Sequence, residues 1–295
     1  MKKGFPSKTA AFVAMWRALG DTLPPEVRLC RDPLGWRFAP PAVARLRPFV
    51  QRFPRLASRV LLASPLRRLL LWLQLRTRAI DDLAVAFARE GGRQIVLLGA
   101  GYDSRSVRLV PHLSGTSFFE IDHPATQAHK REVLASNGID SGAQFVAWDF
   151  ERDSLAQLPS ALMSRGFDPT RPSLTIWEGV IPYLTERAVS ATLAAVHAYG
   201  TPGSRVVLNY IERRRIEGRN FVRFMASRVG EPLRVGWEPA ALPDWLEARG
   251  FQWLSDHSDN ELAQQLFQAP WRHRFEGAGG RIALVARGKY RVEGQ

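Results

Sequence analysis

Across residues 5–90 the apolar positions recur at helical spacing, interrupted by prolines. Ser7 to Leu19 predicts one helix. Asp21 to Pro41 is a connector broken by Pro24, Pro25, Pro33, Pro40 and Pro41. Leu66 to Glu90 predicts a long helix with a stripe of Leu69, Leu70, Leu73, Ile80, Leu83 and Phe87, ended by Gly91 and Gly92. From Arg93 the period changes. Short β-rich runs at Arg93–Leu98, Ser117–Ile121, Gln144–Trp148, Ser173–Trp177 and Arg205–Asn209 alternate with helices at His123–Ala135, Leu155–Met163 and Glu186–Tyr199. Strands separated by crossover helices build a parallel sheet covered on both faces.

Residues 211–234 interrupt this alternation with seven Arg and three Glu around Phe221, Phe224 and Met225. A helix at 239–249, a strand at 251–257, a helix at 259–267 and a strand at 281–288 follow, the last two strands closing as an antiparallel edge pair. The expected fold is α/β: a doubly wound, mostly parallel, Rossmann-like sheet of seven strands. A basic helical cap (1–92) precedes the core (93–295), and 211–234 forms a helical lid inserted after strand five.

Composition narrows the classes. At 45% hydrophobic, the 295 residues can bury a sizeable core. The lone Cys30 excludes an internal disulfide and a multi-cysteine zinc site and fits a reducing cytoplasm. No apolar run reaches the roughly 20 residues of a membrane helix. Lys2 and Lys3 imitate the start of a signal peptide, but the apolar patch stops at Arg17 without a cleavage pattern. The net charge of +13 is lopsided: residues 1–92 hold 17 Lys/Arg against 6 Asp/Glu. This excess reads as either a solvated arginine-rich face or a surface for an anionic acceptor, nucleic acid or acidic membrane.

The main chemical signal is Leu97-Leu-Gly-Ala-Gly-Tyr-Asp-Ser-Arg105 at the end of strand one. Gly99 and Gly101 permit a tight turn with no Cβ in a ligand's way. Asp122, at the end of strand two, is spaced to hold a ribose. A dinucleotide fingerprint wants a third glycine where Ser104 stands, and Asp103 would repel a diphosphate. A cationic sulfonium donor suits Asp103 better, so S-adenosylmethionine is favoured over a dinucleotide. Asp149 after strand three suits an adenine amino group, and Glu178 after strand four suits the methionine end.

With these residues in place the chain resembles the leucine carboxyl methyltransferase family, in its bacterial class I S-adenosylmethionine-dependent branch. The likeness runs through Pro6-Ser-Lys-Thr-Ala10, Arg17, Arg31-Asp-Pro33, Arg76-Thr-Arg-Ala-Ile-Asp81, Leu98 to Arg105, Phe119 to Pro124, Lys130, Gly166-Phe-Asp-Pro169, Trp177 to Leu184 and Pro202-Gly-Ser204. The resemblance implies that Arg76 pairs with the cofactor carboxylate and that Gly99 and Gly101 line the methionine portion. It further implies that Asp122 holds the ribose, Asp149 and Phe150 recognise adenine, Glu178 lies near the amine, and Tyr183 faces the acceptor pocket. Pro182 departs from the hydrophobic residue that often precedes this tyrosine.

The expected activity is O-methylation of a small-molecule carboxylate or hydroxyl, leaving S-adenosyl-L-homocysteine. A carboxylate acceptor is already ionised and needs no base, whereas a hydroxyl benefits from one. His123, His129, His197, His257 and His273 are available, and none is assigned that role. The alternatives are methylation of a peptide or protein C-terminus, an NAD-dependent oxidoreductase, and a non-enzymatic RNA- or membrane-binding protein.

Overall fold

A computed structural model of the chain describes residues 6–217 and 233–288. Seven strands form one sheet in the order β3-β2-β1-β4-β5-β7-β6. They are β1 (Gln94–Leu98), β2 (Ser117–Asp122), β3 (Gln144–Ala147), β4 (Ser173–Trp177), β5 (Arg205–Ile211), β6 (Phe251–Ser258) and β7 (Gly280–Arg287). Strands β1 to β5 pair in parallel. Strand β7 inserts antiparallel between β5 and β6, which accounts for the expected antiparallel pair and leaves β6 at the edge.

The strands alternate sides as their pleat demands. Ile95, Leu97, Leu174, Ile176 and Val207 enter one apolar cluster; Val96, Leu98, Phe119, Ile121, Trp177 and Leu208 enter another on the opposite face. Both β1 and β4 are buried at every position, the signature of a central parallel strand. The chain leaves β1 toward β2 on one side and returns to β4 on the other. In an open α/β sheet such a reversal marks the ligand-binding edge, here the carboxyl ends of β1 and β4.

The helices are α1 (Lys8–Gly20), α2 (Pro41–Ala44), α3 (Arg47–Arg52), α4 (Pro54–Ala63), α5 (Arg67–Arg89), α6 (Arg105–Arg108), α7 (Pro124–Ser136), α8 (Leu158–Met163), α9 (Glu186–Tyr199), α10 (Arg213–Glu217), α11 (Leu242–Glu247) and α12 (Asp259–Leu266). Ser7 and Thr185 cap α1 and α9 through side-chain oxygens. Ser258 and Glu261 form a capping box on α12. Leu155 to Met163 is not one helix: a 3-10 turn precedes α8, whose first turn carries Pro159.

Helix α5 departs from the expected stripe. Leu70, Leu71, Leu73, Gln74, Leu75, Arg76, Thr77, Ala79, Ile80 and Asp81 are all buried. Because it is enclosed by α1, α12 and β4, its apolar residues join the same cluster as β1 and β4 across the 92/93 boundary. Most of the expected 211–234 lid lies outside the described residues; β5 and α10 occupy its first part.

Candidate active site

The loop after β1 turns through two left-handed glycines, Gly99 (φ 73°) and Gly101 (φ 50°). A Cβ on Gly99 would lie 2.6 Å from Val180 Cγ2, so this loop and the one after β4 meet closely. The Gly101 N–H donates to Asp122 Oδ2 at 2.6 Å, and the His123 N–H donates to Oδ1 at 2.7 Å. Asp122 thus locks the glycine turn to the end of β2 while staying half-buried. Burial pushes its carboxyl upward against the pull of those two N–H donors.

A buried ion network lies beneath this turn. The Arg76 Nε donates to Glu178 Oε1 at 2.7 Å, and Arg105 Nη1 donates to Glu178 Oε2 at 2.6 Å. Arg105 also pairs with Asp103 and, through Nε at 2.7 Å, with Asp81, which in turn pairs with Arg108. Burial disfavours the charged form of Glu178, but Arg105 and Arg76 outweigh it and hold its carboxyl down to about 2. The guanidinium of Arg76 lies 4.3 Å from the centre of the Trp72 ring. Trp72 Nε1 donates to Asp259 Oδ1 at 3.1 Å, and the Gly280 N–H donates to Oδ2 at 3.1 Å. Trp72 on α5 and Glu178 just beyond β4 therefore fix the Arg76 guanidinium, and Asp259 on α12 and Arg105 on α6 in turn hold those two.

Asp103 lies inside this network. It is buried, its Oδ1 accepts the Arg105 N–H at 2.8 Å, and its other oxygen pairs with the Arg105 guanidinium. Arg105, two residues away, pairs with it and is shared with Asp81 and Glu178, so Asp103 belongs to the ion network. Glu120 is likewise internal, held by Lys130 and by Ser106 Oγ at 2.7 Å.

The other expected residues sit around the same sheet edge. Asp149 is half-buried after β3: its Oδ1 accepts the Glu151 N–H at 3.0 Å, and its Oδ2 lies 3.8 Å from His123 Nε2. Phe150 beside it is exposed. Tyr183 closes the 3-10 turn Ile181–Tyr183, half-buried, with its N–H donating to Val180 O at 3.1 Å. The Pro182 carbonyl accepts the Arg234 N–H at 2.7 Å, tying this turn to the chain beyond α10.

Several supporting residues appeared in the sequence only as pieces of motifs. Arg17 donates from Nε to Asp32 at 2.9 Å and from Nη2 to the Tyr102 carbonyl at 2.6 Å, clamping α1 onto the glycine loop. Arg105, Asp81 and Arg108 form the rest of the clamp. The available signal was a set of polar residues, Gln74, Arg76, Thr77 and Asp81, interleaved with the apolar residues of the helix's middle turns.

An open sheet with this strand order and acids at its carboxyl edge has the architecture of a class I methyltransferase. Among solved structures, a Thermobifida fusca protein provisionally described as a methyltransferase covers 98% of this chain and 97% of its own at 15% identity, with a TM-score of 0.58. A Streptomyces avermitilis protein covers 79% and 90% at 13% identity, with a TM-score of 0.56. At these identities the likeness is one of fold. In sequence, a Streptomyces coelicolor protein provisionally named as an S-adenosyl-L-methionine-dependent methyltransferase is 35% identical over 95% of both chains. Another from Streptomyces avermitilis, named likewise, is 35% identical over 72% of this chain and 74% of its own.

The chain belongs to the leucine carboxyl methyltransferase family, whose profile matches residues 10–197. That span contains every site residue named above from Arg17 to Tyr183.

Proposed function

We propose that this S-adenosyl-L-methionine-dependent methyltransferase transfers its methyl group to an oxygen, carboxylate or hydroxyl, of a small-molecule acceptor. The observation that carries the reading is the Arg76–Glu178 pair beside the glycine turn. A cation and an anion side by side complement the two charges of an amino acid. Arg76 would take the methionine carboxylate and Glu178 the ammonium. Arg105 holds the other oxygen of Glu178, so that carboxylate stays oriented when Arg76 exchanges partners.

The remaining geometry fits the same cofactor. Gly179 is left-handed, and a Cβ there would lie 3.8 Å from both terminal nitrogens of Arg76. Arg105 Nη2 is buried with no hydrogen-bond partner among the described residues. Gly99 and Gly101 would line the methionine portion, Asp122 would accept the ribose hydroxyls, and Asp149 with Phe150 would receive adenine. Asp103 would act through Arg105, with which it pairs. When bound, the sulfonium supplies an electrophilic methyl carbon. The chain's own part is to hold an acceptor oxygen in line with it and keep water out, with Tyr183 on the acceptor side.

Two of the histidines are engaged elsewhere: His129 Nδ1 lies 2.7 Å from Tyr102 Oη, and His273 Nδ1 lies 3.0 Å from Glu276. His123 stands at the site, its Nε2 3.8 Å from Asp149 Oδ2. The test is mass spectrometry of the full chain with donor and a panel of carboxylic acids, phenols and peptides with free C-termini. Gain of one CH2 on a small acid or phenol supports the proposal. Gain on peptides alone moves the acceptor to a chain terminus, and gain only on nitrogen or carbon contradicts it.

A further inference from the structure

Helix α4 turns Leu61 and Leu62 onto the core, yet α3, α4 and the residues flanking them also expose several large apolar side chains. The fully buried positions of the two helices are Val50, Ala57 and Ser58, and Val50 and Ala57 pack with Ala18 and Trp36. In contrast, Leu46 (55% exposed), Phe49 (51%), Phe53 (47%), Leu56 (50%) and Val60 (61%) face solvent. A helix folded only onto its own core would keep such side chains inside. Leu46 and Phe49 stand three residues apart at the start of α3, Leu56 and Val60 four apart on α4, and at the junction the rings of Phe49 and Phe53 lie 5.2 Å apart.

The surrounding charge has one sign. From residue 33 to residue 80 the chain has ten Arg and no Asp, Glu or Lys. Arg45, Arg52, Arg55 and Arg59 are exposed, and none has a carboxylate partner among the described residues. Exposed apolar side chains set among cations that lack carboxylate partners mark a binding surface.

We propose that the face built by residues 45–60 docks on an anionic lipid bilayer. Such a bilayer offers both features the face complements: negative headgroups for the guanidiniums and hydrocarbon for Leu46, Phe49, Phe53, Leu56 and Val60. A second copy of this chain would set like charges against each other. A nucleic acid would satisfy the arginines but leave Leu46, Leu56 and Val60 in water. No helix among the described residues is long and apolar enough to cross a membrane, so the contact is peripheral. The proposal is independent of the methyl-transfer reading.

The test is co-flotation of the full chain with vesicles of phosphatidylcholine alone or of equal parts phosphatidylcholine and phosphatidylglycerol. Binding is expected only to the anionic vesicles. The Phe49→Ser/Leu56→Ser and Arg52→Glu/Arg55→Glu variants should each weaken it by about tenfold or more. All four positions are exposed, and unchanged circular dichroism melts verify the fold. The proposal is overturned by absence of binding to anionic vesicles or by binding that survives the apolar substitutions. It is also overturned by a dimer that those substitutions dissociate, or by tighter binding to single-stranded RNA that depends on the arginines alone.

Discussion

Arg76 Nε and Glu178 Oε1 are hydrogen-bonded at 2.7 Å across 102 residues of sequence, with both side chains almost wholly buried. The first sits in the middle of α5 and the second just beyond β4. Their meeting joins the N-terminal helices to the carboxyl edge of the sheet.

Glu178→Gln removes the negative member while keeping the shape. A hydrogen bond to a charged group is worth about 1.5–3 kcal/mol, so donor affinity should fall roughly ten- to hundredfold. Isothermal titration with S-adenosyl-L-homocysteine measures this directly.

Arg105 is fully buried and bound to Asp81, Asp103 and Glu178. Arg105→Met should destabilise the fold by about 3–5 kcal/mol, because three carboxylates lose a shared cation. Arg105→Lys should rescue little, since a point charge cannot reproduce the planar fork. Urea unfolding followed by circular dichroism gives both values.

Glu178 also sets an acid limit. Its carboxyl is lowered from an ordinary 4.5 to about 2, against the effect of burial, by Arg105 and Arg76. A depressed carboxyl contributes its stability fully above the unfolded value and loses it as pH falls through the folded one. Stability should therefore drop between about pH 4.5 and pH 2, and Glu178→Gln should shallow that drop in an acid titration.

Asp259 has the opposite sign. Burial raises its carboxyl from 3.8 to about 6, against the Trp72 and Gly280 hydrogen bonds. The folded state then holds the proton more tightly than the unfolded chain, so this group's contribution falls as pH rises from about 4 to about 6. Because Trp72 donates to it, indole fluorescence should titrate with a midpoint near 6 and lose that transition in Trp72→Phe.

The sheet was readable because β1 and β4 are continuous apolar runs bounded by glycines and polar turns. Gly99, Gly101 and Asp122 were readable because a left-handed turn and a strand-end acid leave local marks. The partners of Arg76 and Arg105 were not, since ion pairs formed across the fold have no sequence period. The burial of α5 from Leu70 to Asp81 on most of its faces was hidden for a related reason: its polar residues Gln74, Arg76, Thr77 and Asp81 look solvent-facing until their partners are known. Asp103 gave no sign of its pairing, though its cation, Arg105, stands only two residues on.

The central claim is that Arg76 grips the amino-acid end of the donor. The direct measurement compares S-adenosyl-L-homocysteine with methylthioadenosine, which lacks that end, on the native chain and on Arg76→Gln. The native chain should prefer the homocysteine ligand by roughly tenfold or more, and Arg76→Gln should erase most of that preference while leaving methylthioadenosine binding unchanged. Equal weakening of both ligands, or an undiminished preference in the variant, would contradict the account.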